Sequence, residues 1–290
     1  MNEVWRVGDI KISRVVELEV TGGSRFILPD ATRDQCLPLE WMHPHFMDEA
    51  GNLIMSVHAL VVDTGEHRIV VDTCIGNDKE RSIPAWSNLQ TSFLEDLIKT
   101  GYEPESFDLV LCTHLHVDHV GWNTSYVGGE WVPTFPNAEY LVASAEWQYW
   151  TSEPESGRFD EVYADSVKPI EPLMRLIDVD SDAEIVPGIT LKPTPGHTPG
   201  HVSVEIQSMG QRAIITGDCI HHPCQMTRVE WCSSADTDAA LGLDTRSQLL
   251  AELCDSQTLV IGTHFATPTA GYIRSHVDGH YWLDTGIEPN

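Results

Sequence analysis

The chain has 290 residues, of which 41% are hydrophobic and 21% charged. This composition provides enough apolar material for a large core and differs from the polar composition of disordered chains. The 44 acidic residues outnumber the 17 basic ones and give a net charge of -27, a field that repels phosphate backbones and anionic membrane surfaces. We therefore expect neither nucleic acid nor a membrane among its partners.

The N-terminal residues lack the pattern of a signal peptide, because apolar and polar residues alternate from Val4 to Val20. No stretch elsewhere approaches the about 18 uninterrupted apolar residues that a membrane span needs. The seven cysteines are scattered and form no Cys-x-x-Cys pair, which is typical of reduced thiols with a packing role. We expect a cytoplasmic protein.

Alternating or β-branched segments predict strands, and helical spacing predicts three helices. The predicted strands are 4–20, 55–63, 68–72, 109–113, 139–142, 189–192, 201–206, 213–216 and 258–261. The predicted helices are 88–99, 144–150 and 237–254. Early strands follow one another through short turns and later ones alternate with helices, which predicts an α/β fold of two sheets with helices outside. Since we find no repeat or linker, we expect one domain over 1–290.

The segment 22–52 has no clear period and contains three prolines and several aromatic residues. We predict a long loop here. Two interpretations stay open: the loop folds over a functional site, or it is an ordinary surface excursion packed by its own aromatic side chains.

Four candidate metal ligands follow the predicted strand 109–113 within six positions, namely His114, His116, Asp118 and His119. In extended backbone residues i and i+2 share a face, so His114 and His116 can point at one ion. The following turn, before an expected helix start, would direct the other two at a second ion. Imidazole and carboxylate suit zinc or another first-row divalent metal. Such a cluster rarely arises by chance from 14 histidines, so we favour metal binding over histidines held by ordinary hydrogen bonds.

This His-x-His-x-Asp-His motif resembles that of the metallo-β-lactamase superfamily, and three later residues extend the resemblance. His197 lies in a Gly-His loop, Asp218 follows the strand 213–216, and His264 follows the strand 258–261. The resemblance runs from about residue 55 to 264. It implies an αββα sandwich, with two mixed sheets between outer helices.

The resemblance also implies two divalent metal ions, for which we expect zinc, with iron, manganese and cobalt as alternatives. The implied ligands are His114, His116 and His197 on one ion and Asp118, His119 and His264 on the other, with Asp218 between them. Asp72 matches a family position behind the ligands, where a carboxylate orients a ligand histidine; a strand-end turn residue is the alternative. We take His201, at the start of the next strand, as structural.

A dinuclear zinc site implies a hydrolase, because zinc lowers the pKa of bound water to about 7. A metal-bridging hydroxide would then attack a carbonyl or phosphoryl centre, and Asp118 would relay the proton to the leaving group. The residues 217–225 look like the branch of methyl-parathion-hydrolase-like enzymes and quorum-quenching acyl-homoserine lactonases. His221 occupies the position where lactonase relatives often carry a tyrosine that contacts the substrate carbonyl. Its imidazole could donate to the oxyanion, and a structural histidine is the alternative.

Aromatic side chains near the ligands suggest an apolar pocket wall. We expect Trp122 and Phe265, which adjoin ligands in sequence, and Phe46 if the segment 22–52 closes over them, although most large aromatic residues are core. Such a pocket favours a neutral small-molecule lactone or carboxylic ester, with a phosphotriester as a further candidate.

Two other activities share the histidine motif. A glyoxalase II-type thioesterase usually has a basic, helical C-terminal region, whereas Arg274 is the one Lys or Arg residue after His264 here. An iron-dependent sulfur dioxygenase uses a mononuclear site. A non-catalytic metal-binding module is less favoured, because closed structural sites favour thiolates and no cysteine occupies a ligand position. A homodimer is an open alternative for the assembly.

Overall fold

The computed structural model describes residues 3–152 and 161–287. The chain divides into two compact units, the first made of Met1–Glu17 and Val57–Val179 and the second of Leu18–Ser56 and Asp180–Asn290. The single domain expected over 1–290 stays a prediction. Among the described residues, no helix combines the length and apolar character needed to cross a membrane.

Strands make up most of the regular structure, and helices are few and short. In chain order the strands are β1 (Val4–Val7), β2 (Ile10–Thr21), β3 (Ile54–Asp63), β4 (Arg68–Val71), β5 (Leu109–Leu111), β6 (Thr124–Val127), β7 (Glu130–Pro133), β8 (Glu139–Ala143), β9 (Met174–Ile177), β10 (Ala183–Val186), β11 (Ile189–Pro193), β12 (Val202–Ser208), β13 (Gln211–Ile215), β14 (Thr258–Ile261), β15 (Ala270–Ser275) and β16 (Tyr281–Asp284). The α-helices are α1 (Arg33–Cys36), α2 (Phe93–Lys99), α3 (Ser144–Ser152), α4 (Cys224–Thr227) and α5 (Ala239–Leu253). The 3-10 helices are Ser24–Phe26, Glu40–Met42, Pro84–Trp86, Pro104–Ser106, Gly121–Asn123, Lys168–Leu173 and Gly217–Cys219, and Tyr163–Val167 forms a π-helix.

Two seven-stranded sheets contain most of these strands. The first has the order β1-β2-β3-β4-β5-β8-β9 and the second β10-β11-β12-β13-β14-β15-β16, while β6 and β7 form a separate hairpin. Both large sheets are mixed, since β4, β5, β8 and β9 run parallel, as do β13 and β14, beside antiparallel neighbours. The predicted α/β class with two mixed sheets and helices is confirmed.

Asp72 and most of the candidate ligands follow the parallel central strands of the sheets. The strand β5 is buried throughout and almost all of β4 and β8 is buried, as expected for parallel strands covered on both faces. The carboxyl ends of parallel neighbours lie at the same edge of a sheet, where ligands commonly bind. The candidate residues that follow β4 and β5 therefore share one edge, and those that follow β13 and β14 share another.

The turn after the His-x-His-x-Asp-His motif is a 3-10 helix, Gly121–Asn123, and not the expected start of an α-helix. The backbone N–H groups of Gly121 and Trp122 donate to the carbonyls of Cys74 and Thr73, each at 2.7 Å. A Cβ at Gly121 would lie 1.8 Å from the carbonyl oxygen of Ile75, so glycine alone permits this close approach. These contacts fix the loop after β5 against the loop after β4.

The predicted helix 88–99 begins later than expected, at Phe93. Asn88 has a positive φ of 54°, and the side-chain oxygen of Asn77 accepts a hydrogen bond from the backbone N–H of Thr91 at 2.8 Å. This side-chain hydrogen bond stabilises a turn before Phe93 in place of the predicted helical conformation. The predicted helix 237–254 is also shortened, because Asp238 caps α5 by accepting from the backbone N–H of Leu241 at 3.0 Å.

The segment 22–52, predicted as a long loop, consists mainly of turns and irregular backbone. It contains α1 and two 3-10 helices, and its apolar side chains enter the core of the second unit. Leu28, Cys36, Met42 and Phe46 are at most 2% exposed and belong to one buried cluster with residues of α4, α5, β14 and β15. The segment is thus packed by its own apolar residues, and the expectation that it covers a site stays a prediction.

Candidate metal centre

In the first unit, the candidate ligands lie together on the loop after β5. His114 Nε2 lies 3.0 Å from His116 Nδ1, close to the about 3.3 Å between two nitrogen ligands of one tetrahedral zinc ion. The ring centroids of His114 and His119 are 4.0 Å apart, and His119 Nε2 lies 3.8 Å from Asp118 Oδ1. The loop therefore brings all four side chains together.

Asp72, immediately after β4, is hydrogen-bonded to this group. Its Oδ2 accepts from His119 Nδ1 at 2.8 Å, and its Oδ1 accepts from the backbone N–H of Thr113 at 2.8 Å. The Thr113 hydroxyl donates to the same carboxylate and lies 3.1 Å from His114 Nδ1. Because His119 Nδ1 donates its hydrogen to Asp72, the lone pair of the neutral ring lies on Nε2. The contact with a histidine that was expected of Asp72 is present.

Two buried carboxylates that the sequence analysis missed support the same loop. Glu146 on α3 is 1% exposed, and its Oε1 accepts from the backbone N–H of Leu115 at 3.0 Å and from Trp150 Nε1 at 2.6 Å. Glu17 on β2 accepts from Trp122 Nε1 at 2.6 Å, and burial raises the pKa of Glu17 although its hydrogen bonds oppose this. The sequence around a glutamate in a strand or helix does not show which hydrogen-bond donors its side chain will contact.

In the second unit, three imidazoles converge on the carboxylate of Asp218, which lies in the 3-10 helix after β13. His197 Nε2 and His221 Nε2 each lie 3.3 Å from Asp218 Oδ2, and His264 Nε2 lies 3.2 Å from Asp218 Oδ1. His264 Nδ1 donates to the carbonyl of Ser56 at 2.9 Å, so the lone pair of the neutral ring lies on Nε2. The sequence predicted His197, Asp218 and His264 as ligands, and within this unit they lie together.

His201 holds the backbone of Asp218, in agreement with the structural role expected of it. Its Nε2 accepts from the backbone N–H of Asp218 at 2.8 Å, and its Nδ1 lies 3.0 Å from the carbonyl of Thr194. A Cβ at Gly217, whose φ is 53°, would lie 2.4 Å from His201 Nε2. Glycine at this turn therefore permits the contact.

His221 is the one buried histidine of the described chain whose two ring nitrogens both lack a hydrogen-bond partner. Its residue is 1% exposed. Leaving a buried polar group unpaired costs about 1 to 3 kcal/mol, and although Nε2 lies 3.3 Å from Asp218 Oδ2, neither nitrogen has a hydrogen bond that offsets this cost. Together with the imidazole and carboxylate groups around it, this side chain fits a site for a divalent metal ion.

The three aromatic residues expected to line a pocket lie in the packed cores of their units. Phe46 and Phe265 belong to the buried cluster of the second unit, with ring centroids 6.4 Å apart. Trp122 stacks on Phe93 at 5.5 Å in the first unit. Packing accounts for all three positions, and their role as pocket walls stays a prediction.

A model of the Metallo-beta-lactamase superfamily matches residues 54–250. An N-acyl homoserine lactonase of Bacillus cereus is 30% identical over 171 residues, which cover 54% of this chain and 61% of that protein. An N-acyl homoserine lactonase of Bacillus sp is 34% identical over 112 residues, covering 39% and 38%. The probable metallo-hydrolase Rv2300c of Mycobacterium tuberculosis (strain ATCC 25618 / H37Rv) is 23% identical over 206 residues, covering 60% and 59%. The chain thus spans between 38% and 61% of the length of these relatives.

Two solved structures share the fold over almost the whole chain. The hydrolase AbOPH of the beta lactamase superfamily has a TM-score of 0.79 at 24% identity and covers 99% of this chain and 98% of its own. AidC, a dizinc quorum-quenching lactonase in complex with a product, has a TM-score of 0.79 at 20% identity, also covering 99% and 98%. At such identities the likeness shows the fold alone. Because the family model matches more than half of the chain, the chain belongs to the metallo-β-lactamase superfamily.

Proposed function

We propose that the protein is a metal-dependent hydrolase that opens a lactone or cleaves a carboxylic ester of a small molecule. The observation that carries this proposal is the convergence of His197, His221 and His264 on the carboxylate of Asp218, at 3.2 to 3.3 Å. A carboxylate surrounded by imidazole nitrogens is a typical arrangement of ligands for zinc-like ions. The N-acyl homoserine lactonases among the relatives support a lactone as the substrate.

We further propose that the candidate ligands hold two divalent ions, with zinc as the first expectation. These ligands are His114, His116, Asp118, His119, His197, Asp218 and His264. When bound, the ions would supply a water molecule that loses its proton near neutral pH and would polarise the carbonyl oxygen of the substrate. Membership of a metal-dependent family and the dizinc lactonase with the same fold support this assignment.

The side chains of the protein have distinct parts in this reaction. Asp72 and the carbonyl of Ser56 hold His119 and His264 through Nδ1, which leaves Nε2 of each imidazole available as a ligand. Asp118, which is half-buried, would accept a proton from the attacking water and pass it to the leaving oxygen. His221 donates a hydrogen bond to the oxyanion that develops on the substrate, a role supported by its two orphaned ring nitrogens.

The test is to purify the protein with its metals, measure metal per chain, and assay N-acyl homoserine lactones, aryl esters, thioesters and phosphotriesters. Asp218→Asn should reduce lactone or ester turnover by more than about 100-fold, since even partners outside the ligand set cost 10- to 100-fold. Asp244→Asn makes the same chemical change on the exposed face of α5 and should leave turnover unchanged.

Other outcomes would redirect the assignment. Turnover of thioesters alone would favour a glyoxalase II-type thioesterase. One iron per chain without hydrolysis of any substrate would overturn the proposal in favour of a sulfur dioxygenase. The mass of the same sample in solution tests whether the protein forms a homodimer.

A further inference from the structure

The loop that carries His197, between β11 and β12, is fixed to the segment before α5. The backbone N–H of Thr237 donates to the carbonyl of His197, and that of Asp238 donates to the carbonyl of Gly196, both at 2.9 Å. A Cβ at Gly196, whose φ is 131°, would lie 2.3 Å from the Cα of Gly242 on α5. Glycine at position 196 therefore lets the loop and the helix touch through their backbones.

The carboxylate of Asp236 then sets the orientation of the imidazole. Its Oδ1 accepts from His197 Nδ1 at 2.8 Å, and its Oδ2 accepts from the backbone N–H of Ser233 at 2.9 Å. The side chains of Asp236 and His197 are each 2% exposed. A buried carboxylate is unfavourable unless it is paired, so breaking this hydrogen bond would cost free energy. Because Nδ1 donates its hydrogen to Asp236, the lone pair of the neutral ring lies on Nε2, the atom that faces Asp218.

We infer that Asp236 is a positioning residue that holds His197 in the tautomer and ring orientation needed to bind a metal ion. This inference rests on the proposed role of His197 as a ligand. The pair repeats in the second unit what Asp72 and His119 form in the first, where Nδ1 and Oδ2 are also 2.8 Å apart. Partners of this kind typically change metal affinity 10- to 100-fold.

An alternative role for Asp236 is direct metal binding, since ligand atoms of His197, His221 and Asp236 lie within 4.8 Å of one another. Both oxygens of this carboxylate, however, already accept hydrogen bonds from protein donors. Its contact with His197 is made through Nδ1, the nitrogen opposite to the one that faces Asp218. The geometry therefore favours the positioning role.

The test compares zinc affinity, measured by competition with a chromogenic chelator, in the full-length protein and its variants. Asp236→Ala should weaken zinc binding about 10- to 100-fold and alter the absorption spectrum of the cobalt-substituted protein. Asp236→Asn retains a neutral acceptor for Nδ1–H and should fall between the wild type and Asp236→Ala. It also provides the measurement if Asp236→Ala fails to fold.

The matched control is Asp238→Ala, two residues away. Asp238 caps α5 through Leu241, so its removal should lower the melting temperature while zinc affinity and the cobalt spectrum stay as in the wild type. Equal losses of affinity in Asp236→Ala and Asp238→Ala would overturn the inference, as would an unchanged affinity and spectrum in Asp236→Ala. A wild-type protein that binds no zinc or cobalt would instead overturn the proposed function on which the inference rests.

Discussion

The two units support their candidate ligands in different ways. In the first, four ligands lie on one loop, and one network through Asp72 and Thr113 reaches both His114 and His119. In the second, the ligands follow three different strands and each has its own support. Asp236 holds His197, His201 holds the backbone of Asp218, and the carbonyl of Ser56 holds His264.

This difference has a consequence for mutations. Loss of one support in the first unit should affect several ligands at once, because they share a loop and a hydrogen-bond network. Loss of one support in the second unit should affect mainly the ligand that it holds. Effects of separate, non-contacting sites generally add, whereas members of one network do not.

The largest effect is expected for Asp72→Ala. This change leaves the N–H of Thr113 and Nδ1 of His119 without their buried acceptor, which should lower the free energy of unfolding by about 3 kcal/mol and weaken zinc binding by about 100-fold. Urea unfolding and zinc titration measure both. Asp63→Ala is the control, since Asp63 accepts from Gly65 N–H and the Tyr102 hydroxyl and should leave zinc binding intact. Normal zinc affinity in Asp72→Ala would break the comparison.

A smaller and more local effect is expected for His201→Ala in the second unit. It leaves the buried N–H of Asp218 without the acceptor that lies at 2.8 Å, which should lower the free energy of unfolding by about 2 kcal/mol. Zinc affinity should also fall, because Asp218 is a proposed ligand, but by less than in Asp72→Ala. His276→Ala, at an exposed position, is the control. A loss of zinc affinity as large as that of Asp72→Ala would argue against a more local effect in the second unit.

The smallest effect concerns a buried charge of the first unit, Lys79, which donates to the Thr124 hydroxyl at 2.8 Å. Burial lowers the pKa of Lys79 from 10.5 to about 7, opposed by the charge of Asp165. Between pH 7 and 10.5 the unfolded chain binds this proton more tightly than the folded protein. The contribution of Lys79 to stability therefore rises with pH across that window, and below pH 7 its cost is fully present.

Lys79→Met should remove this dependence, because Asp165 keeps Arg81 as its partner at 2.6 and 2.9 Å. Relative to wild type, the variant should be more stable at pH 6 than at pH 9, by on the order of 1 to 2 kcal/mol. Urea unfolding at several pH values measures this difference, with the exposed Lys99→Met as control. A difference that does not change with pH would contradict the account of Lys79.

The features that could be predicted are those that depend on residues close together in the sequence. The strands around the ligands and the motif 114–119 could be found, because buried parallel strands have apolar runs and the motif is contiguous. Asp236 could not be found, since it lies 39 positions from His197 and its acidic neighbourhood resembles an ordinary helix N-terminus. The sequence could not decide between the two interpretations of 22–52, because its apolar residues have no helical or strand period, although tertiary contacts bury them.

The strands β6, β7, β9, β10, β15 and β16 were also missed, and five of these six have only four residues, too few to show a clear alternation. The prediction of α2 began too early because Asn77 holds the preceding turn. In each case the missing information lies in contacts between distant parts of the chain, which periodicity does not contain.

The most direct test of the central claim is the stoichiometry of zinc binding, measured by native mass spectrometry of the wild type, His116→Ala and His264→Ala. We predict two zinc ions per wild-type chain and a reduced occupancy in each variant, because each removes a ligand contributed by a different unit. A wild-type chain that holds one zinc ion or none, or variants that both retain two, would contradict the account.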